Sequence, residues 1–375
     1  MTGNPVTKEV PVKTLPTTIF VGLAVALTGS ILHQAPSTLA QSAARTTTAP
    51  VFEVDPDWPK ALPNGWTIGP VSGIAVDARD HVVLVQRAEA IKQAGGTSAP
   101  PVIEFDPLGG VVRSWGGAGA GYEWLEQVHG LSIDHKDRVW ISGNGEKDGQ
   151  ILAFTRTGAF IRQIGKAGRS GGSNDTANVG RATQMRFDPQ QNEVFVSDGE
   201  GNQNHRVIVF DSETGAYKRH WGAYGARPDD GAVTLKFDPT AAPPKQFGSA
   251  VHCLRISRDG LVYVCDRANN RFHVFRKDGT FVREVFIAKE TAGAGSVWDI
   301  DFSPDQAFMY VADGTNQKVW VLRRDTLTIE GSFGGPGKAP GQFATSLHDI
   351  VVDSKGNLFT GEAASAGRVQ KFRPR

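Results

Sequence analysis

One pattern recurs six times in this chain, and a repeat of this kind leaves few folds open. Each copy holds an apolar strand, a polar turn, a second apolar strand, a polar loop, and a third strand with an aromatic or apolar residue near its end. The first two strands read VSGIAVDARDHVVLVQR from Val71, VHGLSIDHKDRVWISG from Val128 and ATQMRFDPQQNEVFVSDG from Ala182. They continue as VHCLRISRDGLVYVCDR from Val251, VWDIDFSPDQAFMYVADG from Val297 and LHDIVVDSKGNLFTGE from Leu347. Third strands follow as VIEFD, ILAFT, VIVFD, FHVFR, VWVLR and VQKFR, and all copies but the last add a fourth, such as FIRQIG or FVREVF. With Asp77, Asp134, Asp188, Ser257, Ser303 and Asp353 as the ends of the first strands, the spacings are 57, 54, 69, 46 and 50 residues. Four antiparallel strands at such a period are the signature of propeller blades, whereas a sandwich would not repeat so regularly. The chain is therefore predicted to be all-β, a six-bladed β-propeller over residues 51–375. Val51-Phe52-Glu53-Val54-Asp55 is predicted to supply the strand that the last copy lacks, which closes the ring and removes a free sheet edge.

The segment before the repeats reads differently. Lys8 and Lys13, the apolar stretch TIFVGLAVALTGSIL from Thr18, and the small residues of Thr38-Leu39-Ala40 predict an export signal over residues 1–40. The alternative is an uncleaved membrane tether, because the stretch nears the length that spans a bilayer. Residues 41–50 (QSAARTTTAP) read as a disordered tether. The mature protein is thus expected in the periplasm or outside the cell, as a monomer. A net charge of +1, with no long run of like charges, gives no footprint for nucleic acid. Cys253 and Cys265 flank the hairpin CLRISRDGLVYVC, and pairing Ser257 with Leu261 sets them opposite each other; a disulfide and two packed thiols both fit. Glycine runs such as WGGAGAGYEW from Trp115 and FGGPGKAPGQF from Phe333 precede no helix and read as turns between blades. No HExxH or CxxC motif is present.

Aligning the copies exposes a candidate site. Five residues before each anchor stand Ser72, His129, Thr183, His252, Trp298 and His348. Histidine occupies the second, fourth and sixth copies, and in a six-fold ring these lie about 120° apart. Innermost strands line the channel of a propeller, so three imidazoles should meet on its axis with a fourth direction open. That is the donor set of a catalytic zinc, although imidazole also suits copper, iron and nickel. Three of the nine histidines falling on one repeat position in alternate copies is a pattern that ordinary core histidines would not produce. Arg87 and Arg267 end the second strands of the first and fourth copies, ten residues after their anchors. Arginines there either bind a carboxylate or form ordinary rim ion pairs.

These residues resemble a known family. The phrases VSGIAVD, VVLVQR, VHGLSID, VFVSDG, VHCLRIS, VYVCDRANNRFHVF and LHDIVVDSKGNLF are similar to those of the peptidyl-α-hydroxyglycine α-amidating lyases, a branch of the NHL-repeat propellers, over about Val51 to Arg373. The resemblance implies zinc on His129, His252 and His348. It implies a structural calcium held by the Asp349 carboxylate and the backbone carbonyls of Ile74 and Leu131, oxygen donors of the kind calcium takes. It places Arg87 and Arg267 as the active-site arginines, and the reaction as cleavage of a small or peptide substrate into a peptide amide and glyoxylate. One departure stands out. The family carries a catalytic tyrosine directly after the SDG of the third copy, and here Glu200 follows Ser197-Asp198-Gly199. A glutamate near a metal can act as a base, which assigns that role to Glu200, but it lacks a phenol's pKa of about 10. Two other readings are another metal-dependent lyase or hydrolase on the same channel, and a non-catalytic NHL-repeat binding propeller.

Overall fold

The computed structural model describes residues 48–375 apart from 203, 232–236, 345 and 364–366, and only residues 1, 3 and 11 of the preceding segment. The expected export signal, those three residues aside, and residues 41–47 of the expected tether lie outside the described residues. Thr47–Arg375 forms one compact unit. Among the described residues no helix is long and apolar enough to cross a membrane.

The fold is an all-β, six-bladed propeller, as the repeat predicts. Strand β1 (Phe52–Val54) comes first, followed by the first blade: β2 (Val71–Val76), β3 (Val82–Gln86), β4 (Val102–Phe105) and β5 (Val111–Trp115). The second blade is β6 (Val128–Ile133), β7 (Val139–Gly143), β8 (Gln150–Phe154) and β9 (Phe160–Gly165). The third is β10 (Ala182–Asp188), β11 (Glu193–Asp198), β12 (Arg206–Asp211) and β13 (Tyr217–Trp221). The fourth is β14 (Val251–Ile256), β15 (Leu261–Asp266), β16 (Arg271–Arg276) and β17 (Phe281–Phe286). The fifth is β18 (Asp299–Phe302), β19 (Phe308–Asp313), β20 (Lys318–Arg323) and β21 (Ile329–Gly334). The sixth is β22 (Leu347–Val352), β23 (Leu358–Glu362) and β24 (Arg368–Pro374), and β1 completes it by pairing antiparallel with β24, Phe52 opposite Pro374 and Val54 opposite Phe372.

The aspartates that end the first strands have a local task. Asp77, Asp134 and Asp353 each accept two backbone N–H groups of the following turn, at 2.8 to 3.0 Å. An aspartate of this kind shapes the turn and fixes where the second strand begins. The second strands are apolar on both faces through most of their length, and alternation explains it. Val82 and Leu84 pack into a cluster with Val351 and Phe359 of the sixth blade, while Val83 and Val85 pack with Leu131 and Ile141 of the second. Six such clusters lie between successive blades, so each sheet is buried on both faces. Helix α1 (Ala88–Gln93), directly after Arg87, is an insertion that the repeat did not announce.

Cys253 and Cys265 are bonded in a disulfide within the cluster between the fourth and fifth blades. Of the two arrangements the sequence allowed, the cross-strand bond is the one found. Ala49, inside the expected tether, packs against the cluster between the fifth and sixth blades.

His273 on β16 is fully buried. Burial, reinforced by the charge of Arg271, depresses its pKa from 6.5 to about 2. The imidazole therefore stays neutral in the fold but protonates below about 6.5 once unfolded. Its contribution to stability is intact above that pH and is lost as pH falls from 6.5 toward 2, at about 1.4 kcal/mol per unit. His273→Phe should thus remove roughly 2 kcal/mol of the difference between urea unfolding free energies at pH 7 and pH 5. An unchanged difference would count against this account.

Candidate metal centre

Four of the six residues at the starts of the inner strands are stitched to the next blade. Ser72 Oγ donates to the Val128 carbonyl at 3.0 Å, and Thr183 Oγ1 donates to that of Val251 at 2.6 Å. His129 Nδ1 lies 3.2 Å from the Thr183 carbonyl, and His252 Nδ1 lies 2.5 Å from that of Trp298. A carbonyl can only accept, so both Nδ1 atoms carry the proton. His348 Nδ1 lies 2.6 Å from Asp349 Oδ2. Each ring is thereby oriented with Nε2 as the nitrogen left for the interior, the arrangement by which second partners prepare histidine for a metal. Close backbone approach makes this ring tight. A Cβ at Gly130 would lie 2.0 Å from the Thr183 carbonyl oxygen, so only glycine fits there.

His129, His252 and His348 are all buried, and one ligand nitrogen from each lies within 4.8 Å of the others. Their ring centroids are 4.7 to 5.1 Å apart. The convergence expected from the sequence is therefore present in the fold. Burial, joined by Arg267 for His252 and by His129 and Arg87 for His348, holds both rings well below the usual imidazole pKa. Neutral imidazole is the metal-binding form.

Glu200 reaches the same point from the turn after β11. Its Oε2 lies 3.1 Å from His129 Nε2 and 4.0 Å from His252 Nε2, and Arg267 Nη2 donates to its Oε1 at 3.1 Å. Burial alone would raise this carboxyl, but the Arg267 guanidinium holds it well below the usual carboxylate range. Gly199 aims it: the glycine has φ +155°, and a Cβ there would lie 2.0 Å from the Asn204 carbonyl oxygen. Arg267 also lies over the Trp298 ring, 4.4 Å from its centroid. Arg87 donates through Nε to the Val128 carbonyl and through Nη2 to Asn144 Oδ1, both at 3.3 Å. Burial lowers its pKa. A cavity of about 310 Å³ opens beside Arg87, Trp124 and Gln127.

Further along the channel sits a buried polar layer of which the sequence reading singled out only Asp349. Gln184 Nε2 donates to Asp299 Oδ1 at 3.0 Å and to Asp349 Oδ1 at 3.4 Å. Arg255 Nη2 donates to Asp299 Oδ2 at 3.2 Å and to the Ile350 carbonyl at 2.9 Å. Burial pushes Asp349 up to about 7 and Asp299 up to about 6. Gln184, Asp299 and Asp349 each stand one residue after the aligned histidine position, so the next column of the same alignment carried the signal. Ile74 and Leu131 are buried on β2 and β6; β2 packs against both β6 and β22, which carries Asp349. The C-terminal ends of the inner strands enclose a separate cavity of about 510 Å³, lined by Arg186, Arg255 and Asp301 among others and by none of the three histidines. A second grouping, Asp77, His81 and Glu104, is already neutralised by Arg79, Arg113 and Arg156.

Fold and site together define a six-bladed β-propeller with a buried histidine triad at the starts of its inner strands. No protein-family model matches the chain. It is 24% identical to NHL repeat-containing protein 3 of Mus musculus over 344 residues, 87% of this chain and 85% of that protein. It is 25% identical to peptidyl-glycine alpha-amidating monooxygenase B of Xenopus laevis over 353 residues, 86% of this chain but 36% of that protein. The chain thus spans about a third of the amidating enzyme it matches. Among solved structures, virginiamycin B lyase from Staphylococcus aureus superposes with a TM-score of 0.51 at 14% identity, covering 86% of this chain and 99% of that one. These relatives agree with the resemblance read from the sequence, an NHL-repeat propeller of the amidating-lyase-like branch.

Proposed function

We propose that the protein is an exported, metal-dependent lyase that splits a peptidyl-α-hydroxyglycine, or a small molecule of the same chemistry, into an amide and glyoxylate. The observation that carries this reading is the meeting of three buried imidazoles at one point, with the charges of Arg267 and Arg87 close by. The donor set fits zinc: His252 Nε2 and Glu200 Oε2 are buried and have no hydrogen-bond partner among the described residues. His129, His252 and His348 would hold the ion, which supplies Lewis acidity toward a hydroxyl oxygen. Arg87 and Arg267 would bind the glycine carboxylate and offset developing negative charge. The hydroxyl proton leaves, its electrons form the new carbonyl, the carbon–nitrogen bond breaks, and the amide nitrogen takes a proton. The acceptor within reach is Glu200. Paired with Arg267 it is a weak base, so the substrate carboxylate must draw Arg267 away for Glu200 to accept a proton. In the same reading Asp349 with the carbonyls of Ile74 and Leu131 holds a structural calcium, and the disulfide suits an oxidising compartment.

Zinc-loaded protein should release glyoxylate and peptide amide from a peptide ending in α-hydroxyglycine. Arg267→Ala should raise KM roughly 10- to 100-fold, the cost of losing charge-assisted hydrogen bonds to a carboxylate. Loaded protein that releases no glyoxylate would sink the amidating reading and leave another lyase or hydrolase chemistry, or a binding propeller.

A further inference from the structure

We infer that Glu200 is a fourth protein ligand of the ion, so that the resting site is closed and opens only when an incoming carboxylate takes Arg267. This rests on the metal reading above and adds what the turn after β11 does. Its first support is spacing. Ligand bonds of 2.0–2.2 Å at tetrahedral angles set neighbouring donor atoms about 3.3 Å apart. The separations of Glu200 Oε2 from the Nε2 atoms of His129 and His252, 3.1 and 4.0 Å, bracket that value. Its second support is the hydrogen-bond inventory. His129 and His252 carry their protons on Nδ1, so Nε2 presents a lone pair to a carboxylate oxygen that presents another. Protonating His129 would relieve one contact and still leave His252 Nε2 buried without a partner. One cation satisfies all of these atoms at once.

The third support is the way Glu200 is held. Its carboxylate is divided between two tasks, Oε1 on Arg267 and Oε2 on the histidines. A substrate carboxylate bound to Arg267 would compete directly for the first contact. The turn is built for this placement, since Gly199 packs against the Asn204 backbone and Glu200 N donates to the Arg181 carbonyl at 3.2 Å. Gly201 follows at φ +65°, a left-handed conformation that L side chains rarely adopt.

The test uses the mature protein, stripped and reloaded with zinc or cobalt(II), alongside Glu200→Gln and Glu200→Ala. Zinc affinity, measured by competition with a chelating dye, should weaken on the order of a hundredfold or more in Glu200→Ala and by less in Glu200→Gln, whose amide oxygen can still coordinate weakly. The cobalt(II) visible spectrum should be insensitive to added azide in the wild type and should shift with azide in Glu200→Ala, where a position has opened. Thermal melts without metal show whether each variant is folded, and Glu200→Gln keeps the shape if Glu200→Ala does not. Equal affinities with azide-sensitive spectra in wild type and both variants would overturn the inference and leave the three-histidine site standing. A wild type that takes up neither ion would overturn both.

Discussion

His252→Ala should strip the channel of its ion. Purified wild type loaded with zinc and desalted should retain about one equivalent, and the variant should retain close to none. Structural zinc sites bind with roughly 10–16 kcal/mol, so one ligand of three or four carries several kcal/mol, or at least a hundredfold in affinity. The same loss appears in stability. Zinc at a hundred times its Kd should stabilise the wild type by about 2.7 kcal/mol and leave the variant unmoved. His135→Ala is the control, since His135 sits exposed in a turn. Retention of zinc by His252→Ala at wild-type affinity would show that the three rings do not share an ion.

The site was legible where it depended on repeat position and illegible where it depended on loops. His129, His252 and His348 could be placed together because a propeller converts one column of an alignment into one ring around an axis. Arg87 and Arg267 followed from the same counting. The chain-end closure through Phe52–Val54 was legible because the sixth copy is one strand short. The place of Glu200 near the histidines came only from the resemblance, because its reach depends on the φ of Gly199 and on its packing against Asn204, which no periodicity encodes. Gln184, Asp299 and Asp349 share a column with Gly73, Gly130 and Cys253, and Arg255 shares one with Ala75, Ser132, Arg186, Asp301 and Val351, so neither column is uniformly polar. Of these four the sequence reading took only Asp349, as a calcium ligand implied by the resemblance, although burial across the channel forces all of them to satisfy one another.

Arg271→Ala should destabilise the fold by about 3–5 kcal/mol, the penalty for leaving one partner of a buried ion pair alone. Arg271 is fully buried. Its Nε donates to Asp266 Oδ2 at 2.8 Å, Nη1 to Tyr224 Oη at 2.7 Å and to Glu284 Oε2 at 3.1 Å, and Nη2 to the Pro244 carbonyl at 2.7 Å. Alanine would leave Asp266, also fully buried, with Asn269 Nδ2 and the Gly248 N–H as the remaining donors to its carboxylate among the described residues. A fall in Tm of roughly 4–7 °C should follow, and Arg271→Lys should recover only part of it, since an ammonium cannot span these partners. The third blade repeats the device: Arg206 Nε donates to Asp198 Oδ2 at 2.8 Å, again with both groups fully buried. Asp198 precedes Gly199 and Glu200, and Asp266 precedes Arg267. The two side chains that meet over the histidines thus emerge just beyond stapled aspartates. Loosening either staple should weaken zinc affinity at temperatures well below unfolding, as well as lowering Tm. An Arg271→Ala variant that melts within a degree or two of wild type would mean that the Asp266 pair is dispensable to both.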